Sequence, residues 1–126
     1  MIWLILLATG VVSAAPTVDL RGYVDGQQLY DRCRPDSADH FAELRAAVCL
    51  GYVIGSADQI LAVEADKPPQ FRSFCPPQAL IAEELRDTTL EFLERYPLAR
   101  GAAAATVVAA ALAERHPCDA PRPTDR

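Results

Sequence analysis

Four cysteines and two histidines are the residues of this sequence best suited to chemistry. A cysteine acts as a nucleophile when a base such as histidine lies within hydrogen-bond reach, and cysteines bind structural zinc when they come in pairs two to four residues apart. Cys33, Cys49, Cys75 and Cys118 lie far apart, and no CxxC pair is present. The spacing therefore argues against zinc, and we expect no metal ion and no cofactor.

The remaining polar residues indicate structural roles. His40 lies in a predicted turn, and His116 lies beside a predicted helix end, where a partly charged imidazole suits the helix dipole. Asp58 is the one acid close to an apolar helix face, and we predict that it is buried and bonds a backbone amide. No glycine-rich phosphate loop follows a strand, and no HExxH motif occurs. We therefore predict that the protein is not an enzyme. Four other carboxylates are typical of a solvated helix face: Glu83, Glu84, Glu91 and Glu94.

The first 15 residues have the pattern of a signal peptide. Residues 2–12 are apolar and too few to cross a bilayer, which takes about 20 residues. The small residues Ser13, Ala14 and Ala15 follow and fit a cleavage site, although no Lys or Arg precedes the apolar stretch. The alternative interpretation is a buried N-terminal strand. The signal peptide predicts a periplasmic location.

Domain organisation and compartment follow from this signal. We predict a signal peptide at 1–15, one helical domain at 16–118 and a disordered, proline-containing tail at 119–126. Because the periplasm is oxidising, four cysteines indicate two disulfides. The net charge of −5 argues against a nucleic-acid partner, which would favour clustered Lys and Arg.

The chain predicts four helices and only one weak strand signal, at residues 17–20. The first helix begins at Asp25, with Gln28 as a reciprocal cap, and ends before Pro35. The others are expected at about 41–65, 76–96 and 98 or 101 to 115. On the second, one apolar stripe recurs in steps of three and four: Phe41, Leu44, Val48, Tyr52, Gly55 and Gln59.

Two glycines lie inside the second predicted helix. Gly51 and Gly55 each lower helix stability by about 1 kcal/mol relative to alanine. Close approach of another backbone would explain both residues, and a kink is the alternative.

The helix pattern selects one disulfide pairing from the three that four cysteines allow. A very short turn joins the third and fourth helices, so they should be antiparallel neighbours. Cys75 precedes the third helix and Cys118 follows the fourth, and the hairpin therefore brings them together. Cys33 then pairs with Cys49. The expected fold is all-α, a small bundle of about four helices closed by two disulfides.

Two polar loops beside the disulfides, residues 36–40 and 66–74, are candidate binding segments. The second contains aromatic residues and an arginine, the types that dominate binding hot spots. The alternative is that one or both phenylalanines only cover the core. The candidate partner-binding residues are Asp66, Lys67, Phe71, Arg72 and Phe74.

An ordered set of short motifs carries a resemblance to a known family. Residues 49–58 read C-x-G-Y-x-x-G-x-x-D, residues 26–33 read G-x-x-L-x-x-x-C, and Cys-Pro, Tyr-Pro and His-Pro-Cys pieces follow at 75–76, 96–97 and 116–118. In order and spacing this resembles the Rap/Tai family of immunity proteins. The matching positions are mostly structural. Besides the four cysteines they are Gly51, Tyr52, Gly55, Asp58, Pro97 and Pro117.

The resemblance implies both a fold and a function. Such proteins are periplasmic, α-helical and disulfide-bonded, and they neutralise peptidoglycan amidases delivered by type VI secretion by blocking the active-site cleft with a loop. Many are dimeric, which leaves a homodimer open here, with the alanine-rich face of the fourth helix as either core or subunit interface. We expect a secreted peptidoglycan amidase as the partner and no membrane contact after signal removal. The alternative is a periplasmic helical protein with an envelope-stress or chaperone-like role and no dedicated toxin.

Overall fold

The computed structural model describes residues 22–119. The predicted signal peptide, the strand signal at 17–20 and the tail from residue 120 lie outside the described residues. Within 22–119 the chain forms four α-helices and two short 3-10 helices, and its extended segments make a single isolated bridge between Asp25 and Ala103. The helices are α1 (Gly26–Cys33), α2 (Ala42–Ala65), α3 (Ala82–Arg95) and α4 (Ala104–Arg115); the 3-10 helices are Pro69–Phe71 and Pro97–Gly101.

Helix α1 begins as predicted, and it packs against the Pro97–Gly101 turn, a contact that the sequence did not predict. Asp25 accepts from the Gln28 N–H group while the Gln28 side chain accepts from the Asp25 N–H group, which completes the capping box. Gly26 donates its N–H group to the Ala102 carbonyl at 2.8 Å. A Cβ on Gly26 would lie 2.7 Å from the Ala99 carbonyl oxygen. Only glycine therefore lets α1 approach the Pro97–Gly101 turn this closely.

Helix α2 packs against α1, α3 and α4, but through a different face from the predicted one. The buried apolar residues are Cys49, Val53 and Ala57, none of which belongs to the predicted stripe. Two residues of that stripe, Leu44 and Val48, are exposed. Because α2 is apolar on nearly every side, periodicity alone could not identify the buried face. The disulfide from Cys49 to α1 holds α2 in the observed orientation.

Helix α3 begins six residues later than predicted, at Ala82 rather than Pro76. Cys75 and Pro76 each precede a proline, which disfavours helical backbone at both positions. The Cys75 N–H group instead donates to the His116 carbonyl at 3.0 Å. The buried residues of α3 are Leu85, Thr89 and Leu93, which lie four residues apart along one face of the helix.

Helix α4 contributes five buried apolar residues to the core, more than any other helix. Ala104, Val107, Val108, Ala111 and Leu112 are buried. This face therefore packs inside the chain, and of the two options left open by the sequence it is core. The preceding residues Pro97–Gly101 form a 3-10 turn rather than the first turn of the helix.

Both predicted disulfides are confirmed. Cys33 at the end of α1 is bonded to Cys49 inside α2, and Cys75 before α3 is bonded to Cys118 after α4. The all-α prediction is also confirmed for the described part of the chain. One bridge joins the end of α1 to the interior of α2, and the other joins the two ends of the segment that contains α3 and α4. The core is built chiefly from the following residues: Leu29, Val53, Phe74, Leu85, Leu93, Val107, Val108 and Leu112.

Candidate functional site

The two phenylalanines of the 66–74 loop have different environments. Phe71 ends the short 3-10 turn that starts at Pro69, and 68% of its surface is exposed. Phe74 is 2% exposed and packs in the core, with its ring centroid 6.2 Å from that of His116. One phenylalanine is therefore presented to solvent, while the other anchors the loop.

Glu64, in the last turn of α2, determines the shape of this loop. Its side chain is almost fully buried, and its two carboxylate oxygens accept from the Lys67 ammonium group, the Ser73 N–H and hydroxyl groups, and the Phe74 N–H group. The backbone bond from Ser73 is 2.7 Å long. A buried carboxylate is costly unless its oxygens are satisfied in this way. The carboxylate thus ties both ends of the loop to α2.

The same contacts stabilise the charged form of Glu64. The Lys67 ammonium group, followed by the Ser73 N–H group, lowers the pKa of Glu64 from 4.5 to about 2. Burial acts in the opposite direction and is outweighed. Glu64 is therefore a carboxylate throughout the physiological pH range, and it is a structural group rather than a proton donor.

The side chains of Arg72 and Lys67 form hydrogen bonds that stabilise the loop itself. The Arg72 Nε–H group donates to the carbonyl oxygens of Glu64 at 3.0 Å and Lys67 at 3.2 Å, at the C-terminal end of α2. A guanidinium group there satisfies carbonyls that lack a partner within the helix. Asp66, the exposed residue after α2, and Phe71 are thus the predicted binding residues that remain free for a partner.

The second polar loop, residues 36–40, is held by Arg45. Its guanidinium group pairs with the carboxylates of Asp36 and Asp39 and donates to the Asp31 carbonyl at 3.4 Å. Beside this loop, α1, α2 and α3 enclose an open cleft of about 460 Å³ with a largely apolar floor that includes Leu90. Three of the arginines that line this cleft, Arg34, Arg45 and Arg86, are paired with neighbouring acids. The cleft therefore carries little unbalanced charge.

Among the described residues, no cysteine is available as a nucleophile. All four cysteines are in disulfides. His40 is exposed, with its ring 5.1 Å from that of Phe41, and His116 contacts Phe74. Across residues 22–119, no three His, Cys, Asp or Glu side chains are grouped so that they could hold a metal ion.

The residues of the family motif are distributed over the scaffold. Tyr52 is half-buried against the core, and Pro97 begins the 3-10 turn before α4. Gly51 and Gly55 lie on the exposed side of α2. The prediction that Asp58 is buried was wrong, because it lies exposed on that same side. Pro117 follows α4, as expected from its place after the helix.

Sequence reasoning missed Glu64, the acid that is buried. Two signals could have found it: it ends the apolar run of α2, and Lys67 follows at the i+3 spacing of an ion pair. It also missed Arg100, whose guanidinium group lies 3.8 Å from the centroid of the Tyr30 ring and donates to the Leu93 carbonyl. That contact adds to the packing of α1 on the turn before α4.

One comparison with known proteins gives a match. Residues 25–118 match the family model described as Rap1a immunity proteins. No curated protein matches the chain, and no solved structure does. The two disulfides also fit an oxidising compartment, in which immunity proteins of this kind are typically found. The match covers both disulfides and all four helices, and the chain therefore belongs to the Rap1a family of immunity proteins, which protect against a toxin.

Proposed function

We propose that this protein is a periplasmic immunity protein that inhibits a peptidoglycan amidase delivered by type VI secretion, by binding the toxin and occluding its active-site cleft. The proposal is supported by the family match over residues 25–118 together with one structural observation: Phe71 is presented on a turn whose backbone is fixed at both ends. The resemblance supplies the toxin class, and the turn supplies a means of binding it. Inhibition by occlusion requires no catalytic group on the inhibitor.

The physical basis is preorganisation. Glu64 and Arg72 already fix the backbone on both sides of Phe71, so binding orders little of the loop. The entropy cost of ordering the loop on binding is therefore small, and more of the contact energy contributes to affinity. A buried aromatic anchor at the centre of an interface of about 1,600 Å² would act as a hot spot. A side chain inserted in this way would exclude substrate from the cleft sterically.

The test starts with recovery of the toxin and continues with one substitution. The oxidised protein would be used to capture its partner from periplasmic extract, and inhibition of peptidoglycan hydrolysis by the captured amidase would be titrated. Replacing Phe71 with alanine should weaken binding by about 2 kcal/mol, or roughly 30-fold, without unfolding the protein. Phe41→Ala is the matched control, since Phe41 is 63% exposed but lies at the opposite end of α2.

Different outcomes contradict different parts of the proposal. If Phe71→Ala binds and inhibits as well as the unsubstituted protein does, the 66–74 loop is not the inhibitory contact. If the captured partner is a toxin without amidase activity, the target class is wrong while the immunity function stands.

A second function, as a chaperone-like protein of the envelope, is favoured by the exposed apolar side of α2, where Leu44 is 62% exposed. Such a surface could hold unfolded chains. Capture of many unrelated unfolded proteins, with no partner in stoichiometric yield, would support this alternative. Capture of one amidase in near-stoichiometric amount would argue against it.

A further inference from the structure

The open cleft of about 460 Å³ beside the 36–40 loop gathers cationic side chains. Four of the 12 Lys and Arg residues of the chain line it, although the protein as a whole has a net charge of −5. These arginines come from the end of α1, from α2 and from α3, and we name the site the arginine cleft after them: Arg32, Arg34, Arg45 and Arg86. The fold therefore brings positive charge from three separate elements to one place on an acidic protein.

The charges that line the arginine cleft balance except for one positive charge. Three acids lie beside the four arginines: Asp36, Glu43 and Asp87. Arg32 forms no ion pair with another described residue. Arg34 pairs with Asp31 at 3.8 Å on the exposed surface, and an exposed pair of this kind contributes little stability, so an incoming anion can replace the acid. The arginine cleft therefore favours a ligand with a single negative charge.

Arg45 is incompletely satisfied by the acceptors of the protein itself. Its Nε–H group is buried and has no hydrogen-bond partner among the described residues. Its other nitrogen atoms contact the carboxylates of Asp36 and Asp39 and the Asp31 carbonyl, the last at 3.4 Å. A buried donor without an acceptor destabilises the folded state. A carboxylate bound in the arginine cleft would add acceptors beside this guanidinium group, and a carboxylate is the anion whose geometry a guanidinium matches best.

The floor of the arginine cleft is apolar and fixed in place. Leu90 of α3 lines the cleft and packs against the core. The small side chains of Ala42 and Ala46 line it from α2. Cys33 is also part of the lining, and its disulfide to Cys49 holds α1 and α2 together there. A preformed apolar surface with a few polar groups is the usual composition of a ligand site. The cleft therefore suits a ligand that carries an apolar group next to its carboxylate.

We propose that the arginine cleft binds the C-terminal residue of a protein partner, with an apolar side chain on Leu90 and the terminal carboxylate among the arginines. A C-terminal residue carries both groups on one Cα atom, whereas internal residues carry them on different side chains. Sites for free small molecules bury most of the ligand's surface. This cleft is open to solvent, so it suits a chain end that gains further contacts from the rest of its protein.

The arginine cleft and Phe71 lie at opposite ends of α2. Ala42, the first residue of α2, lines the cleft, whereas the 66–74 loop follows the last residue, Ala65. A helix of 24 residues is about 36 Å long. An interface of about 800 Å² per partner extends only about 16 Å from its centre if it is round. An interface centred on Phe71 therefore leaves the cleft free, and the proposal does not rest on the identity of the toxin.

Heteronuclear NMR of the isotope-labelled, oxidised protein tests the proposal with a small probe. The probe is the peptide acetyl-Ala-Ala-Leu with a free carboxylate, added to about 5 mM. The backbone amide signals of cleft residues such as Ser37, Ala46 and Leu90 should shift and saturate, with a Kd of about 1 mM or below. Signals of the 66–74 loop should not shift. The same peptide with a C-terminal amide should bind at least about tenfold more weakly, because it lacks the negative charge.

Two pairs of variants distinguish the cleft from general effects on the protein. Ala46→Leu fills the floor of the arginine cleft and should abolish peptide binding, whereas Ala47→Leu is the matched control, since Ala47 is exposed on the same helix and does not line the cleft. Arg32→Gln removes one positive charge and should weaken binding about fivefold. Arg115→Gln is its matched control, since each of these arginines lies in the last turn of a helix. Thermal unfolding of all four variants checks that they fold.

Loss of binding in Ala46→Leu and weaker binding in Arg32→Gln, with both controls unchanged, would support the proposal. Three results would overturn it: no shift of any cleft signal at about 5 mM peptide, equal binding of the acid and amide forms, or undiminished binding to a folded Ala46→Leu variant. Octanoate supplies the same chemistry as a free small molecule. If octanoate shifts the same signals and binds more tightly than the peptide, the cleft is a site for a free amphiphilic carboxylate, and the assignment to a protein C-terminus is wrong.

Discussion

Replacing glycine with alanine should have opposite effects at two positions of this protein. At Gly26 a Cβ would lie 2.7 Å from the Ala99 carbonyl oxygen and 2.8 Å from the Arg100 Cα atom. Both neighbours are backbone atoms in a turn fixed by the bond from Gly26 to Ala102, so they cannot move aside cheaply. Overpacking of this kind costs about 1–3 kcal/mol, and we take the upper value. The gain in helix propensity offsets up to about 1 kcal/mol, which leaves a net loss of about 2 kcal/mol.

At Gly51 the same substitution meets open space and gains the helix propensity. Gly51→Ala should therefore stabilise the protein by about 1 kcal/mol, which places the two variants about 3 kcal/mol apart. Unfolding of the oxidised protein in urea or by heat, at low concentration so that association does not contribute, measures both. For a domain of this size, a loss of 2 kcal/mol lowers Tm by about 8–16 °C. A Gly26→Ala variant as stable as Gly51→Ala would refute the inferred contact between α1 and the Pro97–Gly101 turn.

Three further predictions concern the 66–74 loop and its disulfide. Because the pKa of Glu64 is lowered from 4.5 to about 2, its carboxylate contributes stability that is fully present above pH 4.5 and is lost as the pH falls toward 2. The difference in unfolding free energy between the protein and its Glu64→Gln variant, measured in urea, should therefore be constant above pH 4.5 and shrink below it. Replacing Cys75 and Cys118 together with serine removes a bridge between residues 43 positions apart and should cost about 4 kcal/mol in the loop-entropy model, measured against the same protein with the bridge intact. Phe74→Ala should lower the free energy of unfolding by about 3–5 kcal/mol, whereas Phe71→Ala should leave it nearly unchanged, and equal effects in thermal melts would contradict the roles assigned to them.

The sequence was a good guide where the signal was local. The cap at Asp25 and Gln28 depends on two side chains three residues apart, and the structure contains it. The disulfide pairing followed from the short connection between two helices, since the ends of an antiparallel hairpin must meet.

The sequence was a poor guide where a helix is apolar on several sides. On α2, both the stripe with Val48 and the face with Val53 have helical spacing, and only packing against three other helices showed that Val53 is buried. For the same reason Asp58 was assigned to the core although it is exposed. For the 66–74 loop, the composition identified two phenylalanines but could not show which one is buried.

What the sequence by itself determined is the all-α class, the cysteine pairing and the family pattern, because these depend on residue types and on spacing along the chain. What only the tertiary structure decided is how the surface is used. It buried Glu64 and exposed Phe71, because the route of the loop depends on hydrogen bonds between residues up to ten positions apart. It placed Gly26 against a backbone and left Gly51 open, because a contact between elements depends on where the rest of the chain folds.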